Sequence, residues 1–294
     1  MSKHNNRDHR KLLVIDGEIA YTGGLNLSDE YVNLVELYGR WKDSGVRICG
    51  ECASRFADMF LSLWRLNSER SAKRKDRHVL QSSVKAENAI TSEASASSIY
   101  IESSKGVRGE SSGALVPFGT APRPFFKRSA GRELFLNIIN GAVDHIYLTT
   151  PYFIPDSELL GALGRAAARG VDVRIVIPGV PDKRLIKWIG EGYFPALIGA
   201  GVRIYEYSPG FIHSKCIVCD GRSAVVGSLN LDYRSLAHNF ENGVLIMENG
   251  AVAAARDDVL STVSISHELS LCDLHPSLIK RAARLIAGVV LPIL

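Results

Sequence analysis

The sequence has no run of the roughly 18 to 20 uninterrupted apolar residues that a membrane-crossing helix needs, so no segment reads as spanning a bilayer by itself. Residues 1–11 are polar and lack the apolar centre of a signal peptide. Cysteine is scarce and odd in number, five in 294 residues, which argues for reduced thiols and a cytosolic face rather than a disulfide framework. Cys49/Cys52 and Cys216/Cys219 have the spacing of zinc half-sites. Cys216 and Cys219, however, fall in an apolar run that reads as a strand, where residues three apart point to opposite faces, and the pair is read against zinc. A large excess of one charge sign is also lacking: the formal net charge of +4 favours anionic partners without choosing between phospholipid head groups and nucleic acid.

What the sequence does have is core-forming content, 46% hydrophobic residues against 22% charged, enough for one large globular domain or two moderate ones. It also has an internal repeat. His9, Lys11, Asp16, Gly23, Gly24 and Asn26 recur as His213, Lys215, Asp220, Gly227, Ser228 and Asn230, each 204 positions later. Upstream of the second copy, Val143 to Thr149, Val171 to Ile177, Val202 to Tyr207 and Ser214 to Cys219 read as strands. Helices are expected from about Ser157 to Arg169, with Asp156 as N-cap and Gly170 as stop, and from about Asp182 to Ala200. This alternation implies an α/β sheet with helices on its faces. Only eight residues precede His9, so the first half is expected to be incomplete, with any membrane helices upstream of it.

The expected organisation is a C-terminal part of a first half over residues 1–66, a flexible linker or surface insertion over 67–123, and a second half over 124–294. The linker is rich in Ser, Ala, Glu, Lys and Gly, and its basic run Lys73–Lys75 reads as solvating. The apolar stretch Leu285 to Leu294, preceded by Lys280, Arg281 and Arg284, reads either as a surface-lying amphipathic tail or as a final helix on the core. Trp41, Trp64 and Trp188 are expected in the core or at its rim, and His145, His238 and His275 as surface or capping residues.

On a strand, residues i and i+2 share a face, so each copy presents an imidazole beside an ammonium, with Leu12, Val14, Cys216 and Val218 turned towards a core. Asp16 and Asp220 fall at strand ends before a glycine, as at a turn. Two copies around a pseudo-twofold axis gather His9, Lys11, Asn26, His213, Lys215 and Asn230 at one pocket. Lysines and asparagines can hold the nonbridging oxygens of a phosphodiester as charge grows on them. One imidazole can attack phosphorus to give a phospho-His, while the other protonates the leaving alcohol and later deprotonates the incoming one. Asp16, Asp220, Glu241 and Asp43 are the candidate carboxylates for orienting the rings. No metal and no other cofactor is called for, since the lysines supply positive charge.

The motifs His9-x-Lys11-x4-Asp16-x6-Gly23-Gly24-x-Asn26 and His213-x-Lys215-x4-Asp220-x6-Gly227-Ser228-x-Asn230 resemble the paired motifs of the phospholipase D superfamily. Asn6 to Lys11, Trp41 to Asp43, Thr150 to Pro155, Gly210 to Lys215, Asn230 to Ser235 and Asn239 to Glu241 narrow the resemblance to bacterial cardiolipin synthases, over residues 5–66 and about 124–294. The resemblance implies a duplicated fold of two α/β halves about a pseudo-twofold axis, with the site between them. It also implies a phosphatidyltransferase that moves a phosphatidyl group between two phosphatidylglycerol molecules and releases glycerol. His9 would be the nucleophile and His213 the acid and base, at the cytoplasmic face of an anionic membrane, with peripheral attachment for this chain and no nucleic-acid partner. The competing readings are a lipid hydrolase or nuclease built on the same motifs, and an inactive fragment that only binds.

Overall fold

The protein is described by a computed structural model that covers residues 6–72, 99–101, 107–109, 113–122 and 129–274. The Lys73–Lys75 run, His275 and the 285–294 tail lie outside the described residues. The larger of two main sheets contains nine strands. At its centre His145–Thr149, Asp172–Pro178 and Arg203–Tyr207 run parallel, joined by the helical crossovers read from the sequence. The helix Ser157–Ala168 starts where Asp156 accepts from the backbone N–H groups of Glu158 and Leu159 and stops before Gly170, whose φ of +93° suits glycine. The single helix expected over 182–200 is instead two, Arg184–Gly190 and Phe194–Gly199. Gly190 sits against the Phe153 carbonyl, and Pro195 opens the second helix, where a missing N–H costs nothing.

Antiparallel strands complete this sheet: Cys216–Cys219 beside His145–Thr149, then Ser223–Gly227, then Asn239–Met247. The smaller sheet runs Leu12–Ile15, Ile19–Gly23, Gly45–Cys49, Ile99–Ile101 and Val107–Gly109. Strands therefore occupy part of the 67–123 segment expected as a linker. Its Ala114–Thr120 pairs along seven positions with Asn239–Met247 of the larger sheet. Glycine, proline and small residues thin the apolar signal of this strand, and burial of Leu115 and Phe118 supplies what composition hid.

The two faces of the larger sheet carry separate cores. One holds the helices Ala130–Gly141 and Ser157–Ala168 and the side chains Leu148, Ile175, Ile204 and Cys219. The other joins the two halves: Ala20, Ile48 and Phe56 pack with Val218, Val226, Val244 and Cys216. Cys216 and Cys219 thus face opposite ways, as strand periodicity requires.

Candidate active site

Each motif is held against the opposite half. Arg7–Asp8, just before His9, pairs in parallel with Asn239 and Phe240, and the His9 N–H donates to the Phe240 carbonyl at 2.9 Å. In the second copy Gly210–Ile212 pairs in parallel with Arg40–Lys42, and the His213 N–H donates to the Lys42 carbonyl at 2.6 Å. Each strap brings a histidine to a carboxylate of the other half. His9 Nδ1 donates to Glu241 Oε2 at 2.9 Å, and His213 Nδ1 donates to Asp43 Oδ2 at 2.7 Å. Donation from Nδ1 fixes the tautomer whose Nε2 carries the lone pair.

The carboxylates are themselves restrained. Glu241 is fully buried and also accepts from Ser228 Oγ at 2.5 Å, Ser235 Oγ at 2.8 Å and Asn239 Nδ2 at 3.1 Å. Asp43 accepts from the Ser44 N–H at 2.8 Å. These donors fix the carboxylates, and each carboxylate in turn keeps its ring in place. Close backbone approach makes the arrangement possible: Gly23 pairs with Gly45 and Gly227 with Gly243, and a Cβ on Gly227 would come within 2.4 Å of the Asn242 carbonyl.

The lysines follow two residues after their histidines and are short of solvent. Lys215 Nζ donates to the His213 carbonyl, and Lys11 Nζ donates to the His9 carbonyl at 2.8 Å. Burial pushes Lys215 down to about 7, against the attraction of Asp43, and Lys11 down to about 8, against the attraction of Glu241 and Asp43. Burial and the Lys215 charge push His213 down to about 4, against its hydrogen bond to Asp43. The two histidines differ in surroundings. His9 is 29% exposed in a polar setting, whereas His213 is 7% exposed and walled by the rings of Tyr31, Trp41 and Phe211 at 5.1, 5.3 and 6.0 Å.

Asn26 and Asn230 also diverge. Asn26 Nδ2 donates to the Tyr31 hydroxyl at 2.5 Å, while buried Asn230 hydrogen-bonds the Asp232 carboxyl, which burial and the Glu241 charge push up. The site thus brings together His9, Lys11, His213, Lys215, Asp43 and Glu241. It does not include Asp16 or Asp220, which correct the expectation that they act on the rings. Asp16 is exposed at a hairpin turn with φ +54°. Asp220, at φ +53°, accepts from the backbone N–H groups of Val143, Asp144 and His145 at 3.0, 2.9 and 2.9 Å. Although burial opposes it, those donors hold Asp220 below the usual carboxylate range. Both are turn residues in Asp-Gly hairpins, a position where Asp tolerates left-handed backbone. His145, expected as a surface or capping residue, is buried and donates from Nδ1 to Asp144.

The sequence gives no site role to Tyr31, nor to Phe211, Asp232, Ser235 and Trp41, although those four lie in the segments that carry the resemblance. Ser228 was read as a motif residue without a task. A signal for Ser235 and Tyr31 was present in the repeat, since 31 and 235 also differ by 204, but their residue types differ and the alignment stopped at the asparagines.

Residues 135–261 match a family model described as "Cardiolipin synthase, PLD-like domain". The chain is 37% identical over 292 residues to an uncharacterized protein of Streptococcus mutans, covering 99% of this chain and 58% of that protein. It is 32% identical over 267 residues to a cardiolipin synthase of Alkalihalophilus pseudofirmus, covering 90% of this chain and 48% of the synthase. The chain therefore spans about half the length of the curated relatives it matches. Among solved structures it resembles the phosphatidylserine synthase of Haemophilus influenzae with a TM-score of 0.62 at 14% identity, over 96% of this chain and 69% of that one.

Proposed function

We propose, from the match to the cardiolipin synthase PLD-like domain and the 32% identity to a cardiolipin synthase over 90% of this chain, that the chain is a phospholipase D-superfamily phosphatidyltransferase that converts two phosphatidylglycerol molecules into cardiolipin and glycerol. The observation that carries the reading is the pair of crossed dyads, His9–Glu241 and His213–Asp43, with the partly buried Lys11 beside the first and the buried Lys215 beside the second. Two imidazoles, each held by a carboxylate of the other half, and two lysine side chains suit in-line displacement at a phosphodiester.

In the first half-reaction His9 Nε2 attacks phosphorus, the bond to the glycerol oxygen breaks, and that oxygen takes a proton from His213. A hydroxyl of the second phosphatidylglycerol then gives its proton to His213 and attacks phospho-His9, which releases cardiolipin and frees His9. Lys11 and Lys215 hold the nonbridging oxygens throughout. The low value of His213, about 4, suits the base step directly. For the acid step its proton must be stabilised by the bound phosphate anion, because an adjacent negative charge raises an imidazole.

The substrate places the protein at an anionic lipid surface. No helix among the described residues is long and apolar enough to cross a membrane. The loop leading from Asn26 to Trp41 exposes Leu27, Leu34 and Leu37 beside the Tyr31 wall of the pocket, and an apolar patch of this kind suits contact with lipid. The reading is tested by incubating the protein with phosphatidylglycerol vesicles and quantifying cardiolipin, glycerol and phosphatidic acid. Cardiolipin and glycerol are expected to rise together and to disappear in His9→Ala and His213→Ala. Phosphatidic acid in their place would make the protein a hydrolase.

A further inference from the structure

Next to His213 lies a concave, partly open pocket whose lining includes Tyr152, Pro181, Asp182, Lys183, Lys187 and Phe211. Phe211 is a shared wall, since its ring stacks on that of His213 with centroids 6.0 Å apart. A group filling the pocket is therefore held beside the reacting imidazole. Inside it, the Tyr152 hydroxyl donates to Asp182 Oδ2 at 2.5 Å. Lys183 Nζ donates to the Tyr152 oxygen at 3.1 Å and sits 4.8 Å over its ring.

Asp182 is incompletely satisfied. Its Oδ1 is buried and has no hydrogen-bond partner among the described residues, whereas buried carboxylate oxygens ordinarily have one. A donor supplied by a ligand would complete it. A cationic donor fits poorly, because Lys183 Nζ stands 3.8 Å from Asp182 Oδ2, offsets the carboxylate charge and repels a second ammonium. A hydroxyl fits well, and a vicinal diol better still: one hydroxyl donates to Asp182 Oδ1 while the neighbouring oxygen accepts from Lys183.

We propose that this pocket is a polyol subsite in which Asp182 reads the glycerol head group of the substrate and Lys183 holds its adjacent oxygen. The inference rests on the phosphatidyltransferase reading for the identity of the head group, but the contact it assigns is testable without turnover. Tyr152 is the positioning residue, since its hydroxyl ties Asp182 and Lys183 together.

Two measurements test it. In the first, the protein acts on phosphatidylglycerol vesicles in an equimolar mixture of deuterated glycerol, ethanol and ethanolamine, and the phosphatidyl products are separated by mass spectrometry. The native protein is expected to favour glycerol over ethanol at least tenfold, and Asp182→Asn to reduce that ratio by tenfold or more. An unchanged ratio in the variant, or a native preference for ethanolamine, overturns the subsite. Should Asp182→Asn not fold, Asp182→Glu, which keeps the charge but displaces it, is read for the same loss. In the second, binding of glycerophosphoglycerol is measured by calorimetry. Binding at least tenfold weaker in Asp182→Asn supports the subsite even if the native protein transfers nothing, in which case only the transferase reading falls. Equal affinity in the two proteins sinks the subsite whatever the activity.

Discussion

At the scale of the residue, the site depends on charges kept out of water. Lys215 is 3% exposed and Lys11 is largely enclosed, and desolvation brings both from the ordinary lysine range to about 7 and 8. The charged form is the one that grips a phosphodiester, so the free protein loses its grip as pH rises through these values. The expected result is a kcat/KM that falls on the alkaline side with apparent midpoints between pH 7 and 8, checked by a pH–rate profile on phosphatidylglycerol. In Lys215→Arg, whose guanidinium stays charged, that limb should move up by at least one pH unit, and a limb that stays in place would assign it to another group. The same shift has a stability consequence. A lysine whose folded value lies below its unfolded value of about 10.4 disfavours the folded state at low pH, and this cost fades as pH rises from about 7 towards 10.

At the scale of the element, the two parallel straps convert a repeat in sequence into one site. Each is short, two or three residues paired, and each is anchored by the strand that carries the opposite carboxylate. The strand that carries Glu241 approaches its neighbour through the Gly227–Gly243 pair, and Gly227 has no room for a methyl group against the Asn242 carbonyl. Gly227→Ala should displace the strand that carries Glu241, cost ~1–3 kcal/mol of stability by overpacking, and lower kcat well beyond what the stability loss explains. Urea unfolding together with initial rates checks this, and native-like values in both would show that the glycine pair does not set the Glu241 position. The element scale also shows a strand inside the 67–123 segment, which composition reads as a flexible linker or surface insertion. Ala114–Thr120 is a full partner of Asn239–Met247, yet its Pro117 and Gly119 mask the alternation that marks a strand.

At the scale of the whole molecule, the second core is shared by both sheets, so the halves are expected to unfold as one cooperative unit and the dyads to be lost together. The same scale sets the approach to lipid. Leu27, Leu34 and Leu37 are 102%, 76% and 67% exposed on one loop beside the pocket wall, and burying a leucine contributes about 1.5–3 kcal/mol. Leu27→Ser with Leu34→Ser should lower partitioning onto phosphatidylglycerol vesicles at least tenfold in a sedimentation assay. Undiminished binding would move the membrane contact to another face.

The sequence by itself determined the duplicated motif, the α/β alternation of residues 143–219, the cap at Asp156 and the opposed faces of Cys216 and Cys219, because spacing, capping and strand period are local properties that a linear text records. Asp43 and Glu241 were also within its reach as candidates. Only the tertiary structure decided that each carboxylate serves the histidine of the other half, across 170 positions for His213 and 232 for His9. It likewise decided that Asp16 and Asp220 form turns, and that His213 is boxed by Tyr31, Trp41 and Phe211 while His9 is not. Such partnerships follow from how sheets pack and where strands exchange, and the energy of burying a charge beside its partner exists only once the chain has closed around both.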